Sequence, residues 1–196
     1  MYSLLDEALR KLVLNFSSSN FRHINSKEKK KGTKKMEKYA KYIEFSALSE
    51  EKRKQYSQQL YVFLSSADMY YPNFAGWFSN LFDNGSLQLK PGREIFFACK
   101  DSEIAGVAIA KSTKEEAKIC TLCVAKEHQR CGIGKKLMQL SLFWIGENRT
   151  VTITLDSSKE SEFAGILRHF GFVLDGEKEN MYTPGKTELM YARKPS

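Results

Sequence analysis

Through the second half of the chain the spacing of apolar residues changes repeatedly, and each change marks an element. Ile119 to Val124 is an apolar run of strand length, and Val151 to Leu155 is a second, short and β-branched. Between them Ile133, Leu137, Leu140, Ser141 and Trp144 recur at three- and four-residue steps, which predicts a helix ending near Gly146. Upstream, Glu94 to Lys100 and Ile104 to Lys111 read as strands joined in a hairpin at Asp101-Ser102, and Ala117 to Val124 is the third strand of that group. Downstream, Ser157 and Glu160 have capping-box spacing. They open a helix with Phe163, Ile166, Leu167 and Phe170 inward, stopped at Gly171. Phe172 to Leu174 and Glu188 to Arg193 are the last strands, with a turn at Pro184-Gly185.

The first half carries weaker signals. Tyr39 to Leu48 alternates and predicts a first strand; Ser49-Glu50-Glu51 starts a helix that runs to about Ser66 with Tyr56, Leu60, Phe63 and Leu64 inward. Pro72 opens a second helix, with Phe74, Trp77, Phe78, Leu81 and Phe82 on one side and Asp83 to Ser86 at its end. The order is strand, two helices, three strands, helix, strand, helix, two strands. Antiparallel hairpins feeding a parallel crossover make this a mixed α+β sheet. Before it, residues 1–16 form an amphipathic stretch with Leu5, Leu9, Leu12 and Phe16 spaced along one side. The predicted organisation is a basic helix-and-linker extension over 1–38 and one domain over 39–196.

Composition changes this picture in two places. Net charge is +8, and residues 1–38 hold ten Lys and Arg against four Asp and Glu, so most of the excess is local. Seven of those lysines fall between Lys27 and Lys38, a solvated linker in the plain view and an RNA-, DNA- or acidic-partner contact in the functional one. No aromatic platform for stacked bases is interleaved with them. Secondly, the Cys120–Cys123 spacing suggests a metal pair, but both lie on a predicted strand, where residues three apart face opposite sides. No second Cys/His pair completes a site, so no metal is expected. The cysteine usage suits a reducing, cytoplasmic setting. No apolar run approaches the ~18 residues of a membrane helix, so no membrane contact is expected.

The candidate chemistry lies at Gln129-Arg130-Cys131-Gly132-Ile133-Gly134-Lys135, a glycine-bearing turn between a strand and a helix. A turn of this kind offers free N–H groups at the positive end of the helix dipole, the natural seat of a phosphate. A P-loop would need glycine at 129 and Ser or Thr at 136, where Gln and Lys stand. A dinucleotide fingerprint would need glycine at 137, which is Leu, although Asp156 at the end of the next strand keeps that alternative open. The pattern Gln/Arg-x-x-Gly-x-Gly/Ala is met at every defined position by Gln129, Gly132 and Gly134. It resembles the coenzyme A signature of the GNAT superfamily of N-acetyltransferases, and the order of elements over about residues 40–194 is similar to that family's.

The resemblance implies an enzyme that moves an acyl group, acetyl by default, from acetyl-CoA to a primary amine on a small molecule, protein or peptide. A homodimer is a further partner reading. It implies that Ala117–Val124 splays from Val151–Leu155 and that pantetheine pairs with Leu122, Cys123 and Val124, as an added strand would. The pyrophosphate would then lie on Gln129, Arg130, Cys131, Gly132, Ile133, Gly134 and Lys135. In the family a tyrosine four residues before the Gly-Phe pair protonates the leaving thiolate; here Leu167 stands there. Tyr182 and Glu116 are the candidate acid and base in its place. Two other functions compete: a non-catalytic acyl-CoA-binding module, motivated by Leu167, and a nucleic-acid-associated transferase docking RNA through the lysine-rich segment.

Overall fold

The computed structural model describes residues 40–66, 73–83 and 86–195. The amphipathic stretch and the lysine-rich segment, and with them the expected 1–38 boundary, lie outside the described residues, as does Pro72. The elements in chain order are β1 (Lys41–Glu44), α1 (Glu50–Ser66), α2 (Phe74–Ser79), β2 (Arg93–Lys100), β3 (Glu103–Ser112), β4 (Ala117–Val124), α3 (Ile133–Ile145), β5 (Val151–Asp156), α4 (Glu160–His169), β6 (Val173–Glu179) and β7 (Thr187–Arg193). The strands form one sheet in the order β1-β2-β3-β4-β5-β7-β6, antiparallel throughout except for β4 and β5. The fold is the expected mixed α+β sheet.

Each face of the sheet buries its own apolar set. On one, α1 and α2 cover Phe97, Val107 and Ile109 with Leu60, Leu64 and Phe78. On the other, α3 and α4 cover Ile119, Ile153 and Leu189 with Met138, Leu142 and Leu167. Asp101 and Ser102 close the β2–β3 hairpin with φ of 50° and 70°, the left-handed pair that a two-residue turn between twisted strands requires.

Four local expectations change. The second helix ends at Ser79, because Asn80 turns the chain; Leu81 and Phe82 keep their place in the core from the turn that follows. The capping box does not form. Asp156 accepts from the Ser158 N–H at 2.9 Å and a short 3₁₀ turn, 157–159, precedes α4. β6 runs to Glu179, well past Leu174, although its sequence is mostly charged and glycine-bearing; it is the sheet's outer strand, exposed on both faces, and pairing with β7 holds it in place.

The fourth change concerns the cysteines. Ile109 pairs with Thr121 while Ala110 pairs with Ile119, so Cys120 is an extra residue, a β-bulge. Strand alternation slips by one there. Cys120 packs with the α1/α2 core, and Cys123 is registered opposite Val107 of that same core. The two thiols therefore share a face, contrary to the strand-parity expectation. Among the described residues no group of three or more His, Cys, Asp or Glu stands together to hold a metal ion. None of the four cysteines is in a disulfide.

The same bulge lies where β4 leaves β5. The parallel ladder pairs only Ala117–Ile119 with Val151–Ile153, yet β4 continues to Val124 and β5 to Asp156. Beyond Ile119 the two strands part, and the sheet is forked at its centre.

Candidate active site

A cleft of about 2780 Å³ runs through this fork, from the amino end of α3 to the sheet face that α1 and α2 leave partly open. At the α3 end the chain turns on two left-handed residues, Arg130 at φ 61° and Gly132 at φ 83°. Gly132 caps the helix, and a Cβ there would meet nothing within 4 Å, so its backbone faces open space. The first intrahelical N–H bond is Lys136 to Gly132 O at 3.0 Å, which leaves the N–H groups of Ile133, Gly134 and Lys135 without helical acceptors. A Cβ on Gly134 would lie 3.4 Å from Val124 Cγ2 and 3.7 Å from Ile166 Cδ1, so this residue sits between the fork wall and α4.

The expected coenzyme A residues divide by role. Gln129 donates from Nε2 to the Val124 carbonyl at 3.2 Å, tying the turn to the end of β4. That side chain positions the loop, and it occupies one acceptor of the fork edge. Arg130, Gly132, Gly134 and Lys135 line the cleft. Cys131 is exposed beside the turn, and the Ile133 side chain is buried in the core, so only its backbone is available. Lys136 is held by Gln139. On the fork edge, Leu122 packs toward α3 while Cys123 faces the opposite side, its thiol pushed up to about 11 by burial. A thiol so disfavoured as thiolate is a poor nucleophile at neutral pH.

Beyond the fork the cleft floor is the polar half of the sheet. Glu116 forms an ion pair with Lys111, whose hydrogen bond holds the carboxyl below its ordinary range. It is an ionised surface carboxylate with a committed partner, which weakens it as a base. Tyr182, 45% exposed on the β6–β7 loop, accepts a hydrogen bond from Lys118 Nζ at 3.0 Å. Asp156 pairs with Lys186 at 2.5 Å and also accepts from Ser158 N; the Lys186 bond leads in drawing its pKa down to about 2.

Opposite Asp156 in register is Glu188, only 6% exposed, with its pKa raised by burial first and by the Asp156 charge second. The charges of Lys186 and Lys118 act the other way, but less strongly than burial. Leu189 next to it faces the α3/α4 core, so Glu188 faces the cleft, which it lines. Sequence reasoning passed over Glu188 because a lone acid at a strand start is unremarkable. Its only signal was parity with inward Leu189 and Tyr191 along β7. Tyr191 itself points the other way, donating to Glu160 Oε1 at 2.6 Å, and Leu167 is fully buried on the inner face of α4.

A helix terminus opening onto a forked parallel pair is the geometry that the glycine motif implied. The model of the acetyltransferase (GNAT) domain matches residues 27–182. The chain belongs to the GNAT acetyltransferases. Among solved GNAT structures it is similar to a Desulfovibrio desulfuricans protein assigned to the family (TM-score 0.63, 16% identity, covering 81% of this chain and 100% of that one). It is also similar to the ribosomal-protein-S18-alanine N-acetyltransferase of Escherichia coli (0.60, 18%, 80% and 95%) and to Ard1 of Thermoplasma volcanium (0.58, 16%, 79% and 96%). At these identities the likeness is one of fold. No curated protein sequence matches the chain. Leu167 stands where the resemblance to the family implies a tyrosine. Among the described residues no helix is long and apolar enough to cross a membrane.

Proposed function

We propose that this GNAT protein is an acyl-CoA-dependent N-acyltransferase that moves acetyl from acetyl-CoA to a primary amine by direct transfer. The observation that carries the proposal is the fork: β4 runs five residues past its last pairing with β5, beside a helix terminus whose N–H groups are open. The residues fit the group. Ile133, Gly134 and Lys135 present N–H donors and Arg130 and Lys135 add positive charge for a pyrophosphate. The edge at Leu122–Val124, apart from the Val124 carbonyl that Gln129 holds, offers backbone partners for pantetheine. Bound acetyl-CoA would supply the acetyl group as an activated thioester.

The chain's own residues then have separable tasks. An amine is mostly protonated at neutral pH, with a pKa near ~10. Glu188 receives the proton that the acceptor nitrogen must lose; a carboxyl raised toward neutrality by burial is the better matched base, and Glu116 is held in its pair with Lys111. Tyr182 presents a phenol, oriented by Lys118, at the acceptor side of the cleft. Leu167 favours a second reading, a non-catalytic acyl-CoA-binding module, because the family's usual acid is absent there. The cysteines, none of them bridged, accord with a reducing, cytoplasmic location.

Calorimetry should show acetyl-CoA bound one-to-one at micromolar concentration; selective binding of NAD with none of coenzyme A would overturn the proposal. Thiol release with amine acceptors separates enzyme from binding module. If Tyr182 donates a proton or holds the acceptor, Tyr182→Phe should slow release about tenfold or more with coenzyme A affinity unchanged. Equal rates would remove Tyr182 from the mechanism.

A further inference from the structure

We infer that the acceptor carries an anionic group some distance from its amine, and that Arg93, Lys111 and Lys118 form the subsite that receives it. The inference rests on the acyltransferase reading for the amine but not for the anion. Register places the three cations side by side: Arg93 of β2 opposite Lys111 of β3, and Lys111 opposite Lys118 of β4. All three project to the cleft side. Ile95 and Ile109, two residues from Arg93 and Lys111, belong to the α1/α2 core on that face, while Ile119, next to Lys118, belongs to the other. All three line the cleft and are half-buried, and all three act electrostatically on the thiol of Cys120, which lies among them.

Like charges directly opposite one another on neighbouring strands oppose folding, and this row is not neutralised from within. Glu116 pairs with Lys111. Glu115, on the turn outside, bonds to Thr113 and is only drawn toward Lys111 and Arg149. Lys118 donates to the Tyr182 hydroxyl; Arg93 and Lys118 are drawn toward the same Glu116 that Lys111 already holds, and Lys118 acts also on Glu188. Two positive charges are therefore in excess on a concave, partly desolvated wall, where a field of one sign gathers counter-charge. The acid that suits an ammonium, Glu188, stands elsewhere on the same polar face. Lys118 pairs with Thr152, and Asp156, four residues further along β5, pairs with Glu188. At roughly 3.3 Å per residue this separates the two ends by about 13 Å of strand, shortened by the reach of the side chains. An amine with its anion several bonds away fits both ends; a short α-amino acid does not reach.

The probes are hexylamine, ε-aminocaproate and aminohexyl phosphate, which present one amine with no anion, a carboxylate or a phosphate. Calorimetry and thiol release are run on the full chain with each. The wild type should favour the two anionic amines over hexylamine by about tenfold, the contribution of one charge-assisted contact, and the preference should shrink with added salt. Arg93→Gln should reduce the preference at least threefold and Arg93→Lys should keep most of it, with melting curves checking that both variants are folded. The better of the two anions identifies whether carboxylate or phosphate is the group received. Tighter binding of the anionic amines with no thiol release would leave the subsite standing and remove the acyltransferase reading. Thiol release at equal rates from all three, equal binding or none, or a preference that Arg93→Gln leaves intact, would overturn the subsite.

Discussion

Gly134→Asp should leave the protein folded and unable to hold coenzyme A. Gly134 stands in the first turn of α3, with an N–H that the helix does not use. Any side chain there starts between Val124 and Ile166, at the fork wall. A carboxylate at this position brings a negative charge to the seat proposed for the pyrophosphate. Juxtaposed like charges cost several kcal/mol, which is a loss of roughly a hundredfold or more in affinity. The control is Gly134→Ala. Its Cβ would make ordinary contacts at 3.4 and 3.7 Å, and alanine is the better helix former, so affinity should change little and stability should not fall. Titration of coenzyme A into both variants, with melting curves, decides the matter. Unchanged affinity in a folded Gly134→Asp protein would show that this turn is not the phosphate seat.

Glu188→Gln should lower the transfer rate by roughly 10²–10³, within the range of positioned general bases, while Glu116→Gln should change it less than about threefold. Wild-type kcat/KM should rise with pH as Glu188 deprotonates, at a pH above the ordinary carboxylate range because burial and Asp156 raise its pKa. That limb should vanish in the glutamine variant. Stability gives an independent sign. A carboxyl whose folded pKa is raised contributes stability that is present below its unfolded pKa and lost as pH rises through the folded value. Glu188→Gln should therefore match or exceed the wild type in melting temperature at neutral pH and gain nothing at low pH. A rate equal to that of the wild type, or an acid limb that persists in the variant, would remove Glu188 as the base.

Local rules made much of the molecule legible in advance. Apolar period placed β2 to β5, α1, α3 and the body of α4 near their observed limits, since apolar spacing reports which face an element buries whatever lies opposite. The glycine turn was legible for the same reason. Gly132 at positive φ and an open first helical turn are properties of a few consecutive residues, and they carried the family and the expected phosphate seat with them.

The tertiary structure decided what depends on pairing partners. The bulge at Cys120 reverses strand parity and brings two thiols to one face, a slip in register against β3 that β4 alone cannot reveal. The charged strand β6 exists because β7 offers it a ladder. Glu188 became the candidate base because Asp156 lies opposite and burial surrounds it, and Glu116 receded because Lys111, five residues before it, folds back onto it. The row Arg93, Lys111 and Lys118 is scattered in sequence and continuous only across three strands. The sequence alone determined the kinds of element and the chemistry of the glycine turn, because these arise from neighbours along the chain. Which charges stand together was decided only when distant strands came into register.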